Sequence, residues 1–377
     1  MIRAMTLAMF LGLALSACGG EAEVVPKKNP EPTVDPATFG LDDAGPFQCG
    51  HRVLSTTYEA YPGAPARTIP VHVWYPTTAT DGEHARYRGI FQDPLAWEDV
   101  PLAPSPWADG HPVLAHSHGY MGFAGNSHRM MCHFAMHGWV AVAPEHVGNT
   151  LTDTPDPLPL AAFYQRPLDV RAAVDHLAGL GAEDPLSGVV DASRLAVSGH
   201  SFGTFTTWSL AGASYGHALI EARCFDGSIA DCDDAGLALF KAPLDEPRAK
   251  AALPMAGRKH AFFGESGLAS VTLPVLLMTG SLDDVGADEV VAGADGVPLT
   301  WVDVEGGCHQ LYGLGNTSVG DTACMALGDE EGFAIVNPVA LAYARYHVLG
   351  ERGEQVRGLV EEGVGMSPRM TVKHASP

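Results

Sequence analysis

The amino-acid sequence predicts a mainly parallel α/β sheet with helices on both faces and a small cap-like insertion. Three features predict it: short apolar runs rich in Val, Leu and Ala, longer helical patterns between them, and turn residues at the joints. Strands buried on both faces read as continuous apolar runs, because neither side meets water. Pro112 to His116, Trp139 to Ala143, Arg194 to Val197, Ala251 to Met255, Val275 to Thr279 and Leu299 to Val304 are such runs, and Thr68 to Tyr75 alternates like a strand. Helices are expected from Ser127 to His137, from Pro167 onward with Val170, Val174 and Leu177 on one face, after Ser201, and from Pro338 to Leu349. Pro167 is read as a first helical position, where the missing N–H leaves nothing unpaired. No internal repeat is visible.

The composition fits a large globular domain. A chain of 377 residues can bury a core without a metal or disulfide staple, and 46% hydrophobic against 18% charged residues is too apolar for disorder. Lys+Arg 22 against Asp+Glu 44 gives a net charge of −22, which repels phosphate backbones and excludes nucleic acid as a partner.

The first residues read as an address. Arg3 precedes an apolar stretch from Ala4 to Leu15, and Leu15-Ser16-Ala17-Cys18 closes it with small residues. This resembles a bacterial lipoprotein signal, which implies removal of residues 1–17 and lipidation of Cys18. The apolar run is too short for a stable membrane-spanning helix. Gly19 stands where such lipoproteins carry an aspartate for inner-membrane retention, so an outer-membrane anchor in the cell envelope is expected. A plain secretory signal, giving a secreted protein, is the alternative. Residues 18–47, with Pro26, Pro30, Pro32 and Pro36, read as a flexible tether, and 48–377 as the folded domain. Six cysteines besides Cys18 in an oxidising compartment predict disulfides. Cys224 with Cys232 and Cys308 with Cys324 are near in sequence. Cys49 and Cys132 then pair by elimination, or Cys132 is a small buried apolar residue on its helix.

The chemistry centres on Gly199-His200-Ser201-Phe202-Gly203. Glycines two residues either side of a serine permit a sharp strand-to-helix turn, and here Leu195-Ala196-Val197 precedes the motif while Thr204 to Ala211 continues as a helix. The arrangement resembles the nucleophile elbow of the α/β-hydrolases, in which the chain order is Ser, then Asp or Glu, then His. A serine hydroxyl needs a base, and the base needs an orienting acid. After the run Val275 to Thr279 comes Gly280-Ser281-Leu282-Asp283-Asp284, and after Leu299 to Val304 comes Glu305-Gly306-Gly307-Cys308-His309. His309 is the expected base; Asp283 or its neighbour Asp284 is the acid, and the Gly-x-x-Asp spacing usual in the family selects Asp283. The oxyanion hole is assigned to the N–H groups of Phe202, at the start of a helix, and of Tyr120, after Ser117-His118-Gly119.

Ser117-His118-Gly119, Trp139 to Thr150 with Glu145-His146-Val147-Gly148-Asn149, Arg166-Pro167-Leu168-Asp169-Val170 and Gly199 to Gly203 together resemble the platelet-activating-factor acetylhydrolase and dienelactone-hydrolase-like serine esterases. The likeness spans about Arg67 to Leu349 and implies hydrolysis of short-chain carboxylic esters through an acyl-serine, with no cofactor and a small-molecule ester as substrate. Dienelactone hydrolases carry cysteine at Ser201; Glu145, Thr204 and Gln310 depart from the common Asp, Gly and Phe. Phospholipase, lipase or polyester hydrolase action is open within this class, and a non-catalytic envelope ligand-binding or adhesion protein is the alternative outside it.

Two segments are expected to shape the cleft: Asp153 to Pro159, and the insertion 212–248 with Cys224 and Cys232, a possible cap. The acids Asp226, Asp231, Asp233 and Asp234 lack calcium-loop spacing and read as a solvated face. His133 and His137 have a zinc-compatible spacing, but no Glu follows His133 as in a metalloprotease, so no metal is assigned. His137, ahead of Gly138, is read as a cationic ring at a helix C-terminus.

Overall fold

A computed structural model describes residues 39–318 and 320–375. The lipoprotein signal, Cys18 and the tether up to residue 38 lie outside the described residues. Each apolar run above forms a strand: β2 (Arg67–Thr77), β5 (His111–Ser117), β6 (Val140–Pro144), β7 (Val190–His200), β8 (Ala249–Met255), β9 (Val275–Gly280) and β10 (Leu299–Val304). Four strands escape the sequence reading, namely β1 (Gln48–Tyr58), β3 (His84–Tyr87), β4 (Phe91–Glu98) and β11 (Met370–Ala375). They form the outer parts of an eleven-stranded sheet ordered β11-β10-β9-β8-β7-β5-β6-β2-β1-β4-β3. The pairings from β6 through β5 to β10 are all parallel, while β10–β11, β2–β6, β1–β2 and β3–β4 are antiparallel.

Alternate residues of the parallel strands feed two cores. Leu114, Ala141, Ala196, Leu276 and Val302 pack on one face with α1 (His128–Met136), α7 (Asp329–Ala344) and α8 (Glu354–Glu362). Val113, Val140, Val197, Val275 and Leu277 pack on the other with α2 (Leu160–Ala178), α3 (Phe202–Leu210) and α6 (Ala287–Gly293). The insertion 212–248 carries α4 (His217–Phe225) and α5 (Asp234–Leu239), and Asp226, Asp231, Asp233 and Asp234 are exposed. Asp233 also caps α5 by accepting from the Gly236 amide at 2.6 Å.

Two helix starts need correction. Pro167 lies inside α2 and Pro338 inside α7, rather than at their first turns. Ahead of Pro167 the extra turns are held by the buried Leu160, Phe163 and Tyr164. Ahead of Pro338 they begin with Asp329, Glu330 and Glu331, which suit the positive end of a helix dipole. Tertiary packing here outweighs the roughly 3 kcal/mol that an interior proline costs. Leu41 and Phe47 are also buried, so ordered packing begins before residue 48.

Among the described residues three disulfides form: Cys49–Cys132, Cys224–Cys232 and Cys308–Cys324. Such bridges mark an oxidising, extracytoplasmic compartment. Among the described residues, no helix is long and apolar enough to cross a membrane.

Candidate active site

β5 is flanked by β6 on one side and β7 on the other, so the chain reverses its direction of travel across the sheet at β5. Open α/β sheets bind ligands at such a switch point, outside the carboxyl ends of the strands. Ser201 sits there, between β7 and α3, with φ 58° and ψ −117°. That backbone is strained for a residue with a side chain, and Ala256 (φ 49°), which lines the same cavity, is held likewise. The turn is secured by the Ser201 amide donating to the Met255 carbonyl at 2.9 Å and by the Thr204 hydroxyl donating to the same carbonyl at 2.9 Å. Thr204, unlike the glycine common at this position, thus ties α3 to β8.

The three predicted side chains meet. His309 Nε2 lies 2.8 Å from Ser201 Oγ, and His309 Nδ1 lies 2.9 Å from Asp283 Oδ2. Asp283 rather than Asp284 reaches the imidazole. The two loops that carry acid and histidine are laced together: the Leu282 amide donates to the Gly307 carbonyl at 2.9 Å, and the Gly306 amide to Ser281 Oγ at 3.0 Å. Asn316 secures the histidine loop, accepting from the Cys308 amide at 2.7 Å and donating to the Gly306 carbonyl at 2.9 Å. The Cys308–Cys324 bridge closes the same loop next to His309.

The loop that carries Tyr120, one of the two expected oxyanion donors, also approaches the nucleophile. A Cβ on Gly119 would stand 3.2 Å from Ser201 Cβ, so the backbone leading to Tyr120 passes against the nucleophile. Among the described residues neither the Tyr120 nor the Phe202 amide donates to another backbone carbonyl, and the latter opens a helix, where amides lack intrahelical partners. The Tyr120 ring, half-exposed, meets the Phe202 ring edge-on with centroids 6.4 Å apart.

Sequence reasoning missed the buried scaffold under this loop. Arg166 is 1% exposed and donates to the His118 carbonyl, to Ser117 Oγ at 3.0 Å, to Asn149 Oδ1 at 2.6 Å and to Thr206 Oγ1 at 3.1 Å. Its guanidinium also lies 4.6 Å from the centre of the Phe202 ring. Burial pulls its pKa down to about 9, which leaves it cationic at neutral pH. His146 joins Ser117 Oγ (2.9 Å) to Asp169 Oδ2 (2.9 Å), and Asp169 also accepts from Arg67 and Tyr58. One arginine therefore braces both the Tyr120 and the Phe202 sides of the site. The available signal was Arg166 three residues before Asp169 on a helix that buries its apolar face. Arg166→Met is expected to lose about 3 kcal/mol of stability by orphaning buried acceptors. Denaturant unfolding checks this.

His200 was read only as part of the motif. It is buried, donates from Nε2 to the His309 carbonyl at 2.8 Å and packs its ring 4.9 Å from that of His309. Burial, then the His309 charge, pushes it down to about 3, so it stays neutral as a donor.

Several other histidines are hydrogen-bonded into the scaffold. Among the described residues no cluster of metal-ligating side chains is present. His116 Nδ1 pairs with Ser198 Oγ at 3.0 Å, and His118 Nε2 accepts from the His146 amide at 3.1 Å. His137 is the C-cap residue of α1, but the cationic role expected for it is corrected: burial, with Arg345 alongside, pushes it down to about 4 and keeps the ring neutral.

These depressed values have a consequence for stability. Burial lowers His72, His116 and His133 to about 3 and His111 and His260 to about 4, with His118 and His146 well below the usual range. The unfolded chain protonates these rings near pH 6.5 while the native state holds them neutral, so stability is full above that pH and falls on acidification. By pH 5 each ring held at about 3 or 4 costs about 2 kcal/mol. Thermal unfolding followed by circular dichroism is expected to show a steep loss of Tm between pH 6.5 and 4; a flat profile contradicts it.

A cavity of about 450 Å³ opens onto Ser201 and His309, with Phe202, Phe205, Ala256 and His260 among its walls. Strand order, a serine at the β7–α3 turn and helices on both faces define an α/β-hydrolase fold. The ferulic acid esterase from Streptomyces cinnamoneus shares it, with a TM-score of 0.57 over 91% of this chain and 99% of that one, at 19% identity. No family model matches the sequence, and no curated protein matches it.

Proposed function

We propose that the protein is an extracytoplasmic serine hydrolase that cleaves short-chain carboxylic esters through an acyl-serine intermediate. The observation that supports this reading best is the unbroken chain from Ser201 Oγ through His309 to Asp283. Ser201 Oγ attacks the ester carbonyl carbon while His309 Nε2 takes its proton, and Asp283 fixes the imidazole. The Tyr120 and Phe202 amides hold the negative oxygen of the tetrahedral intermediate. Collapse breaks the ester C–O bond, and His309 returns the proton to the departing alcohol. Water, deprotonated by His309, then attacks the acyl-serine; the second collapse frees the carboxylic acid and restores Ser201.

The fold neighbour's name, a ferulic acid esterase, agrees with carboxylic ester hydrolysis, and the aromatic walls suit an ester of modest size. Cys18 anchors the protein to the cell envelope by lipid, the stretch between Cys18 and the packed Leu41 acts as the tether, and the insertion 212–248 caps the cleft by bringing Arg223 to its wall. The branch is that of the platelet-activating-factor acetylhydrolase-like esterases. A series of p-nitrophenyl esters tests this: kcat/KM is expected to peak at acetate or butyrate and fall with longer acyl chains. A rate that rises with chain length reassigns the enzyme to lipase or phospholipase action, and no turnover of any ester contradicts the hydrolase reading.

A further inference from the structure

We infer that the esters taken by this site carry a carboxylate on their acyl or alcohol part, held by Arg223, Arg258 and Lys259; this rests on the hydrolase reading above. All three line the cavity that opens onto Ser201 and His309. In a chain of net charge −22, cations are ordinarily quenched by neighbouring acids. Eight arginines among the described residues are ion-paired in this way. Among the described residues none of the three cavity cations forms an ion pair, although the exposed Asp226 feels the charge of Arg223; Arg258 instead donates to the Asp284 carbonyl at 2.7 Å and Lys259 to the Glu265 carbonyl at 2.8 Å. Backbone acceptors orient these groups without neutralising them and leave further N–H donors over.

Two acids face them in the cavity, Asp283 and Asp284, and the carboxylate of Asp283 is engaged by His309. The lining is therefore positive on balance within an acidic molecule, a setting that focuses the field on an incoming anion. Arg223 adds a guanidinium from the insertion, next to the Cys224–Cys232 bridge that staples it. Its charge also lowers His260 on the same wall, after desolvation. A guanidinium fork beside apolar Phe202 and Phe205 matches a short ester ending in a carboxylate.

Two matched pairs of esters test the inference on the intact protein. p-Nitrophenyl hydrogen succinate against p-nitrophenyl butyrate places the charge on the acyl part; 4-acetoxybenzoate against phenyl acetate places it on the alcohol. Rates are corrected with Ser201→Ala, which also removes spontaneous hydrolysis from the comparison. On one pair kcat/KM is expected to favour the charged ester by about tenfold at low salt, and less at about 0.5 M NaCl. The ratio is expected to drop to about one in R223Q/R258Q/K259Q and partway in R223Q alone. Slower turnover of the charged ester in both pairs, or a preference that survives the triple substitution, overturns the inference while leaving the hydrolase reading intact. No turnover of any of the four esters overturns both.

Discussion

Ser201→Ala is expected to lower kcat/KM for p-nitrophenyl butyrate by about 10⁴ to 10⁶ with the fold intact. In the proposed mechanism this hydroxyl forms the acyl bond, and His309 Nε2 lies 2.8 Å away to take its proton. His309→Ala is expected to cost a similar factor, and the double variant no more than the worse single one, because nucleophile and base act as a unit. Steady-state kinetics measures the loss, and circular dichroism melting checks that Tm holds. Losses that multiply in the double variant contradict a shared step. Asp284→Ala is expected to be far milder than Asp283→Ala, since Asp283 alone of the two meets the imidazole.

The second large effect is structural. Gly203→Ala is expected to cost about 3 kcal/mol or more and to abolish turnover. A Cβ there would stand 1.9 Å from the Ser117 carbonyl oxygen and 2.8 Å from its carbon, and neither backbone can give way. Strand β5 and helix α3 touch at that point, which places the Tyr120 loop over the nucleophile. Gly181→Ala, where an added Cβ meets nothing within 4 Å, is the matched control, with an expected change within about 0.5 kcal/mol. Unfolding by denaturant compares the two; equal stability would mean that the close approach is not required.

How much of this was legible in the sequence depends on what each residue answers to. The parallel strands were legible because burial on both faces leaves an uninterrupted apolar run, as in Val275-Leu276-Leu277-Met278. The elbow and the loops after β9 and β10 were legible because their chemistry needs particular residue types at strand ends. Strands β1, β3, β4 and β11 were not, since outer strands mix exposed and buried positions; β11 has no fully buried residue. Helix starts failed at Pro167 and Pro338 because a local steric rule yielded to tertiary packing. Arg166 stayed hidden for a related reason: an arginine's ordinary place is the surface, and only the fold shows it sealed beneath His118 and Phe202. The three pairings of cysteines agree with proximity in sequence for two bridges and with elimination for Cys49–Cys132.

In the proposed mechanism one hydroxyl, at the turn after β7, becomes covalently acylated. Incubation with a fluorophosphonate followed by intact-mass and peptide analysis tests it most directly. One adduct per chain, located on Ser201, is expected, and none in Ser201→Ala. An unlabelled protein, or an adduct on any other residue, would contradict it.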